Sequence, residues 1–345
     1  MSVDTFTTVQ SLGLAGACTP LFPDGRNRML YGDCLQVMRE LPVASFDVLY
    51  LDPPFFSGKD YALHNSSPDE VLSFADTWAG GLTEYLGWLE ERLVEMHRLL
   101  QPTGAIFVHL DWHATHYVKV ILDRLFGYDN FQNEFIWYYS GGGASKTRFA
   151  RKHDNILYYT KSKTKWKFYA DRVRVPYKWT DGQPRADGSA RDLEKGKLPD
   201  DVWEEHGLLP WAQESLGYPT QKPETLLERL LLATSDEGDV VGDFFCGSGT
   251  TAAVAQRLGR RWVTADESRI AISLAAERLA EIVNPGSIPR PSLVRSRALA
   301  KTRFEAILAD EERLGLTPEM LEAVNVSLYP AVGFAVETLC HGRLP

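Results

Sequence analysis

The chain has 345 residues, enough to bury a large core in one big domain or two modest ones. Hydrophobic residues make up 44% and charged residues 24% of it, as in ordinary globular proteins. The sequence contains no run of about 18 apolar residues, so it predicts no transmembrane helix. The N-terminus lacks the pattern of a secretory signal. The four cysteines have no C-x-x-C spacing, which disfavours disulfides and zinc and predicts a cytoplasmic location.

The net charge of −9 at first disfavours a nucleic-acid partner, but the charge is unevenly distributed. Residues 146–197 contain 15 Lys and Arg against 6 Asp and Glu. A basic segment on an acidic body is typical of a phosphate-binding surface. A solvated, charged insertion is an equal alternative on charge alone.

In chain order, residues 1–28 show no strong period and are interpreted as an arm. From Met29 onward, continuous apolar runs alternate with helical spacings. Strands are predicted at 46–52, 105–110, 134–139, 156–160, 240–245 and 262–266, and helices at 85–100, 116–125, 225–233, 250–258 and 270–282. This alternation predicts an α/β fold with a doubly wound, mostly parallel sheet.

A glycine-rich loop, DFFCGSGTT at 243–251, joins a predicted strand to a predicted helix. Gly247 and Gly249 permit a tight turn and a close approach of the backbone to a ligand. Asp266 ends the next strand 19 residues after Gly247, a placement suited to ribose hydroxyls. The loop by itself predicts only a nucleotide-like ligand. Dinucleotide dehydrogenases share this geometry, and a purely structural turn is a further alternative.

Asp52-Pro53-Pro54-Phe55 directly follows a predicted strand, at the end where open α/β sheets bind ligands. The two prolines fix the backbone and remove two donors, so the chain presents only carbonyl acceptors there. A carboxylate beside a carbonyl can hold both hydrogens of an amino group and direct its lone pair at an electrophile. Phe55 adds a flat surface on which a base can stack. A Pro-Pro turn capped by Asp is the structural alternative.

Seven stretches carry a resemblance to a known family. They are YGDCLQVM at 31–38, LDPPFFSGKDY at 51–61, GAIFVHLDWHATHYVK at 104–119, NEFIWYYSGGG at 133–143, KHDNILYYTK at 152–161, YPTQKPETLLERLL at 218–231 and VVGDFFCGSGTTAAVAQRLGRRW at 240–262. The sequence resembles the amino-methyltransferases of bacterial and phage DNA, in the permuted group whose catalytic motif precedes the cofactor motif. The resemblance implies the circularly permuted fold of S-adenosylmethionine-dependent methyltransferases and a base-flipping reaction at adenine N6.

The resemblance also implies a role for each matching residue. Asp52 and Pro53 would hold the target amine, with Pro54 completing the motif and Phe55 against the flipped base. The residues implied to bind S-adenosylmethionine are Asp33, Cys34, Thr220, Gln221, Lys222, Asp243, Phe245, Gly247, Ser248, Gly249, Thr250 and Asp266. Asp266 would bind the ribose, Asp33 and Cys34 would border the adenine, and Lys222 would meet the methionine carboxylate.

The sequence departs from the family pattern at three positions, of which two are tolerable and the third, Phe56, bears on the base pocket. Phe244 replaces a usual Pro, Asp266 stands where Glu is frequent, and Phe56 replaces a common Asn, which changes base-pocket polarity. Members that act on cytosine N4 often carry Ser at the position of Asp52. Asp52 therefore favours adenine, and a cytosine-N4 methyltransferase is the alternative.

The resemblance divides the chain into five segments. They are an arm at 1–28, a catalytic half at 29–160, a basic target-recognition insert at 161–216, a cofactor-binding half at 217–284 and a C-terminal extension at 285–345 with two short helices expected. Double-stranded DNA is the predicted partner. Its contacts are predicted at Lys146, Arg148, Arg151, Lys152, Lys165, Lys167, Arg172, Arg174 and Lys178. A homodimer and a companion restriction endonuclease are further implied partners.

Other readings are less favoured. His109, Asp111, His113 and His116 lie close in sequence, but they span a strand end and a turn, so no metal is expected. Cys246 is interpreted as a small residue against the sheet, not as a nucleophile. A nicotinamide-dependent oxidoreductase would use the glycine loop but would leave DPPF and the basic segment unexplained. An RNA or protein-glutamine methyltransferase and a silent DNA-binding relative are more distant alternatives.

Overall fold

The computed structural model describes residues 20–23, 25–63, 71–139, 145–177, 192–204, 214–283 and 334–338. Its strands are β1 (Asn27–Tyr31), β2 (Phe46–Leu51), β3 (Tyr61–Leu63), β4 (Val71–Phe74), β5 (Leu100–Leu110), β6 (Phe131–Tyr138), β7 (His153–Thr160), β8 (Val202–Glu204), β9 (Val240–Asp243), β10 (Arg261–Asp266) and β11 (Phe334–Thr338). Its helices are α1 (Cys34–Glu40), α2 (Gly81–Leu99), α3 (Thr115–Phe126), α4 (Glu224–Thr234), α5 (Thr250–Arg257) and α6 (Arg269–Val283).

Nine of these strands form one sheet in the order β11-β1-β10-β9-β2-β5-β7-β6-β8, and β3 and β4 form a separate antiparallel pair. Every neighbouring pair in the nine-stranded sheet is parallel except the two pairs that include β7. β7 is reversed because a hairpin connection joins it to β6. The predicted α/β fold with a mostly parallel sheet is confirmed.

Helices cover both faces of the sheet because the strand residues alternate in direction. Val48 and Tyr50 of β2 pack with residues of α4, α5 and α6, whereas Leu49 and Leu51 pack with residues of α1, α2 and α3. All four side chains are at most 2% exposed. Full burial of an apolar side chain of this size contributes about 1.5–3 kcal/mol, so the two faces together supply the main stabilisation.

Strands from the two predicted halves, residues 29–160 and 217–284, share this sheet. β1, from the N-terminal half, pairs with β10, and β2 pairs with β9. β11 adds an edge strand beside β1 that the sequence did not predict. Among the described residues, no helix is long and apolar enough to cross a membrane.

The sheet has a topological switch point between β2 and β9. From β2 the sheet continues through β5, and from β9 it continues through β10 to β1. Crevices in open α/β sheets form outside the carboxyl ends of the strands at such a point. The DPPF motif follows β2 and the glycine loop follows β9, so both motifs lie at this crevice.

Candidate active site

A cavity opens at the carboxyl ends of β2 and β9. It is lined by Asp33, Cys34, Tyr50, Asp52, Pro53, Pro54, Phe55, Tyr61, Phe74, Asp76, Trp88, Tyr218, Thr220, Gln221, Lys222, Leu227, Asp243, Phe244, Phe245, Cys246, Gly247, Ser248, Thr250, Thr251, Asp266 and Glu267. The cavity therefore brings together the DPPF motif and all the predicted cofactor residues except Gly249. Gly249 instead lies directly before the first residue of α5.

Asp52 and Lys222 form a buried ion pair across the cavity. Lys222 Nζ lies 2.5 Å from Asp52 Oδ2, and the two side chains are 8% and 16% exposed. Lys222 also donates to the Thr220 carbonyl at 3.3 Å and lies 5.2 Å from the centre of the Phe55 ring. Asp52 Oδ1 is buried and has no hydrogen-bond partner among the described residues. The carboxylate thus has one oxygen fixed by a cation and one acceptor oxygen left over.

Buried side chains hold the DPPF loop from behind. Tyr85, on α2, donates its hydroxyl to the Pro54 carbonyl at 2.8 Å. Asp76 accepts from the Phe56 amide at 2.9 Å and from the Ser57 amide at 2.7 Å. Phe56 has a φ of +63°, a conformation that non-glycine residues rarely adopt. The hydrogen bonds from these two backbone amides to the Asp76 carboxylate offset this local strain and fix the loop beside Asp52.

A chain of polar side chains runs beneath Phe55. The Phe55 ring stacks on His109, with centroids 5.8 Å apart. His109 Nδ1 lies 2.8 Å from the Tyr50 hydroxyl, and its Nε2 lies 3.3 Å from Asp154. Tyr139 donates to the other oxygen of Asp154 at 3.1 Å. His109 is fully buried, so these contacts fix the plane on which Phe55 rests.

The glycine loop turns sharply between β9 and α5. Gly247 and Gly249 have φ angles of +49° and +74°. A Cβ at Gly247 would lie 3.2 Å from the Tyr218 ring, and a Cβ at Gly249 would lie 2.7 Å from Cβ of Ala275. Asp243 at the end of β9 accepts from the Phe245 amide at 3.0 Å and from the Thr251 hydroxyl at 2.5 Å. The loop therefore needs glycine both for its backbone angles and for its close packing.

Two acids mark the ends of neighbouring strands. Asp266, the last residue of β10, accepts from the Gly247 amide and the Ser268 amide, each at 2.8 Å. Asp33, after β1, caps α1 and lies 2.6 Å from Arg92. Both side chains line the cavity, and carboxylate oxygens have lone pairs for further donors.

Other predicted cofactor residues shape the cavity wall. Gln221 bonds the Glu214 carbonyl and the Leu216 amide, at 2.7 and 2.9 Å, and closes its own loop. Thr250 Oγ1 donates to the Lys222 carbonyl at 3.2 Å and accepts from Arg278 at 3.0 Å. Arg278 also donates to the Ser248 carbonyl at 3.3 Å. These bonds connect the glycine loop to the segment that carries Lys222.

The cavity is acidic, which decides what class of ligand fits it. Its carboxyl groups are Asp33, Asp52, Asp76, Asp243, Asp266 and Glu267. Lys222 is the single cation among the described lining residues, and it is paired with Asp52. Burial raises the pKa of Asp243 to about 7 and that of Asp266 to about 6. A ligand with a positive charge and hydroxyl donors fits this lining, whereas the diphosphate of a dinucleotide would be repelled.

Comparisons with known proteins agree with this geometry. The profile of the family described as DNA methylase, which groups N6 and N4 enzymes, matches residues 46–277. The Type II methyltransferase M.HpaI of Haemophilus parainfluenzae is 34% identical over 252 residues, which cover 73% of this chain and 74% of that protein. The DNA adenine methyltransferase YhdJ of Escherichia coli is 27% identical over 267 residues, covering 76% and 86%.

A solved structure shows the same fold. The cytosine-N4-specific PvuII DNA methyltransferase matches with a TM-score of 0.55 and 18% identity, covering 82% of this chain and 93% of that one. The chain belongs to the DNA methylase family. It is an enzyme that methylates DNA with S-adenosylmethionine as the methyl donor.

The predicted DNA contacts of this methylase separate into two groups. Lys146, Arg148, Arg151 and Lys152 lie in the connection between β6 and β7, which emerges at the carboxyl ends of the strands. Residues 145–151 are exposed, and Arg151 stacks on Trp112 at 3.4 Å from the ring centre. This group therefore lies at the same end of the strands as the cavity.

The second group follows β7 and lies at the amino ends of the parallel strands, opposite the cavity. Lys167 pairs with Asp47, Asp236 and Asp239, which precede or begin the strands β2 and β9. Arg172 pairs with Asp236 at 2.8 Å, and Arg174 with Asp171 at 2.6 Å. Lys165 is exposed on the same side, and Lys178 lies outside the described residues. This placement gives no support to DNA contact by Lys165, Lys167, Arg172 or Arg174.

Several lining residues were not predicted from the sequence. Tyr61, Phe74 and Asp76 come from the segment after DPPF, which shows no strong period, and Trp88 comes from α2. Asp76 is 1% exposed. The signal for it in the sequence was slight, namely one acid between aromatic residues in FADTW.

The features that the sequence analysis discounted have structural surroundings of their own. Asp111 bonds the His113 ring at 2.7 Å, and His109 belongs to the chain beneath Phe55. Among the described residues, no group of three His, Cys, Asp or Glu is placed to hold a metal ion. Cys246 is buried, and burial raises the pKa of its thiol well above the usual value, which disfavours a thiolate nucleophile.

Proposed function

We propose that this enzyme methylates the exocyclic N6 of adenine in double-stranded DNA after the base has left the stack. The observation that carries the proposal is the Asp52 carboxylate. One of its oxygens is held by Lys222, while Oδ1 is buried at the cavity without a partner among the described residues. A buried acceptor without a donor costs about 1–3 kcal/mol, and an amino group of the substrate would remove that cost.

The residues of the DPPF loop orient the amine. Asp52 Oδ1 and the Pro53 carbonyl accept its two hydrogens, which directs the nitrogen lone pair toward the methyl group. Phe55, supported by His109, stacks on the base. S-adenosylmethionine supplies a methyl group on a positively charged sulfur, an electrophile that needs no metal and no covalent enzyme intermediate. As the N–CH3 bond forms and the S–CH3 bond breaks, S-adenosylhomocysteine would leave, and the cationic nitrogen would release its proton to solvent.

The cofactor is held by the acidic wall that the glycine loop and the strand ends form. Asp266 would accept the ribose hydroxyls, and Asp33 with Cys34 would border the adenine. Phe245, Gly247, Ser248 and the loop at Thr220 would enclose the methionine part. Lys222 was expected to meet the methionine carboxylate, but its Nζ lies on Asp52. We therefore propose that Lys222 mainly fixes Asp52.

Adenine is favoured over cytosine by Asp52 itself, and YhdJ, a relative of 27% identity, is a DNA adenine methyltransferase by name. The acceptor pair would also hold the N4 amine of cytosine. M.HpaI is named a Type II methyltransferase, which supports a companion restriction endonuclease for this chain. A homodimer is also proposed, because members of the group that the sequence resembles often form dimers.

The phosphate-binding surface is proposed to be the connection between β6 and β7. Its Lys146, Arg148, Arg151 and Lys152 stand on the same side of the sheet as the cavity. Each phosphate contact by a cation adds to the salt dependence of binding. The basic residues after β7 are left out, because their nearest charged partners are acids of the protein.

The experiment that tests the function is mass spectrometry of nucleosides from mixed-sequence duplex DNA incubated with the enzyme and S-adenosylmethionine. N6-methyladenosine is the expected product, and mapping of the methylated positions gives the recognition site. N4-methylcytosine would overturn the choice of base, and no methylated nucleoside would overturn the function as a whole.

The matched variants are Asp52→Ala and Asp129→Ala, the second of which changes an exposed acid that pairs with Lys163 at 3.6 Å. Asp52→Ala should lower the turnover by about a hundredfold or more, since misplacement of a reacting group can cost that much. Binding of S-adenosylhomocysteine to both variants, measured by calorimetry, controls for folding. Near-normal turnover of Asp52→Ala would contradict the mechanism.

A further inference from the structure

Phe149 is the most exposed large hydrophobic residue among the described residues. Its side chain is 97% exposed, compared with 75% for Tyr128 and 66% for Val120. Phenylalanine has no polar atom that water could solvate, so its full exposure leaves about 1.5–3 kcal/mol of burial free energy unused. A single exposed hydrophobic residue is common on protein surfaces, so the surroundings of Phe149 decide whether it contacts a partner.

The chemistry around Phe149 indicates which partner. The exposed run Ser145–Arg151, SKTRFAR, contains three cations and no acid. Arg148 directly precedes Phe149, and Lys146 and Arg151 flank it within three residues. A basic segment that also carries an exposed apolar ring would suit a negatively charged backbone that encloses an apolar, stacked interior. Duplex DNA has both properties.

The position of the loop connects Phe149 to the site. Tyr139 donates its amide to the Lys152 carbonyl at 2.9 Å, which closes the base of the β6–β7 connection. Asp154, five residues after Phe149, contacts His109, and the His109 ring supports Phe55. Five residues of chain span at most about 17 Å. The exposed ring is therefore tethered close to the surface on which the flipped base would stack.

We propose that Phe149 enters the base stack of the duplex and occupies the space that the target base leaves. This inference rests on the proposed base-flipping function. Extruding a base costs a few kcal/mol of stacking and pairing, and an aromatic ring that stacks on the neighbouring bases regains about 1–3 kcal/mol. Lys146, Arg148 and Arg151 bind phosphates beside the gap, while Asp52 and Phe55 hold the extruded base. No bond is made or broken in this step.

The test compares two short duplexes that carry the recognition site mapped by sequencing. In one duplex the target base is normally paired, and in the other it faces an abasic position, so it is already partly released. Single-turnover methylation is measured for the wild type, Phe149→Ala, Phe149→Leu and the matched control Tyr128→Ala. Tyr128 lies between α3 and β6, at the end of the strands opposite the cavity, and is also an exposed aromatic residue.

Phe149→Ala should lose about tenfold or more in rate on the paired duplex, which corresponds to about 1.4 kcal/mol. On the duplex with the abasic position it should come within about threefold of the wild type, because less stacking free energy has to be replaced. Phe149→Leu should retain most of the rate on both duplexes, since leucine also serves as a wedge. Tyr128→Ala should match the wild type on both.

Three results would overturn the inference. They are an unchanged rate of Phe149→Ala on the paired duplex, an equal loss on both duplexes, and a shift from dimer to monomer with unchanged rates. The last result, from sedimentation, would assign Phe149 to a contact between two copies of this chain. Failure of the wild type to methylate any DNA would instead defeat the proposed function, so the two failures are distinguishable.

Discussion

At the scale of residues, the Asp52–Lys222 pair sets the state of the acceptor. Lys222 is 8% exposed, so its charge is compensated mainly by Asp52 at 2.5 Å. A buried pair of this kind adds little stability by itself, but removal of one partner leaves an uncompensated charge. Its consequence for function is geometric, because one oxygen of Asp52 is fixed while the other keeps its lone pairs for a donor.

The raised pKa values of two other acids give a pH dependence of cofactor binding. Burial raises the pKa of Asp243 to about 7 and of Asp266 to about 6, so both acids take up protons as the pH falls below neutrality. A ligand that donates to, or is attracted by, the ionised forms competes with these protons. We expect S-adenosylhomocysteine to bind progressively more weakly from pH 8 to pH 5, by up to about tenfold per pH unit for each displaced proton.

Calorimetric titration across this range is the measurement. An affinity that stays constant down to pH 5 would contradict the role of these two acids. In the cofactor-free protein, the free energy of unfolding has the opposite dependence on pH. A carboxyl group whose pKa is raised on folding stabilises the fold fully below its unfolded pKa of about 4, and this contribution is lost as the pH rises to the folded pKa. The free energy of unfolding without ligand should therefore decline between about pH 4 and pH 7 from these groups.

At the scale of elements, the glycine loop depends on how closely α5 approaches α6. Gly249 precedes α5 in a left-handed conformation, and its Cα faces Ala275 of α6. The loop thus positions the backbone amides and Asp243 only if α6 packs directly against it. Ala275 is fully buried, which leaves no room for adjustment.

Gly249→Ala tests this close approach, and Gly238→Ala is the matched control. Gly238 has a φ of +84°, and a Cβ added there would meet nothing within 4 Å, whereas a Cβ at Gly249 would lie 2.7 Å from Ala275. Both variants carry the left-handed penalty of about 1–2 kcal/mol. Only Gly249→Ala adds overpacking, of about 1–3 kcal/mol. Chemical denaturation should show the larger loss for Gly249→Ala, together with weaker S-adenosylhomocysteine binding, and equal losses would refute the argument.

At the scale of the whole molecule, the cavity unites residues that are distant in the sequence. Asp33 and Asp52 come from the N-terminal half, and Lys222 and Asp266 come from the C-terminal half. The strands of the two halves are interleaved in one sheet, so neither half has a complete sheet of its own. We therefore expect one cooperative unfolding transition for the methyltransferase core.

Thermal unfolding with ligand tests this expectation. S-adenosylhomocysteine at a hundred times its dissociation constant should add about 2.7 kcal/mol and move the whole transition upward. NADH at the same concentration should leave it unchanged, because its diphosphate meets an acidic wall. Two transitions of which only one responds would show that the halves unfold independently. A shift with NADH would revive the oxidoreductase alternative.

The charge distribution also takes its meaning from the whole molecule. The segment 146–197 is basic in the sequence, but its described residues before and after β7 lie at opposite ends of the strands. The cations after β7 meet Asp47, Asp236 and Asp239, so part of the basic excess neutralises the protein itself. Among the described residues of this segment, those in the connection before β7 present cations at the end of the strands where the cavity lies.

The sequence by itself determined the class of fold, the order of the main strands and helices, and the two motifs that meet at the cavity. These follow from local rules, since apolar periodicity, DPPF after a strand and glycines before a helix are all short-range patterns. The tertiary structure alone decided the pairing of Lys222 with Asp52, the support of the DPPF loop by Asp76 and Tyr85, and the reversed direction of β7. Those features join residues up to 170 positions apart, as for Lys222 and Asp52. The reversed direction of β7 also separates Phe149 from Lys167. Phe149 precedes β7 at the end of the strands where the cavity lies, and Lys167 follows β7 at the other end.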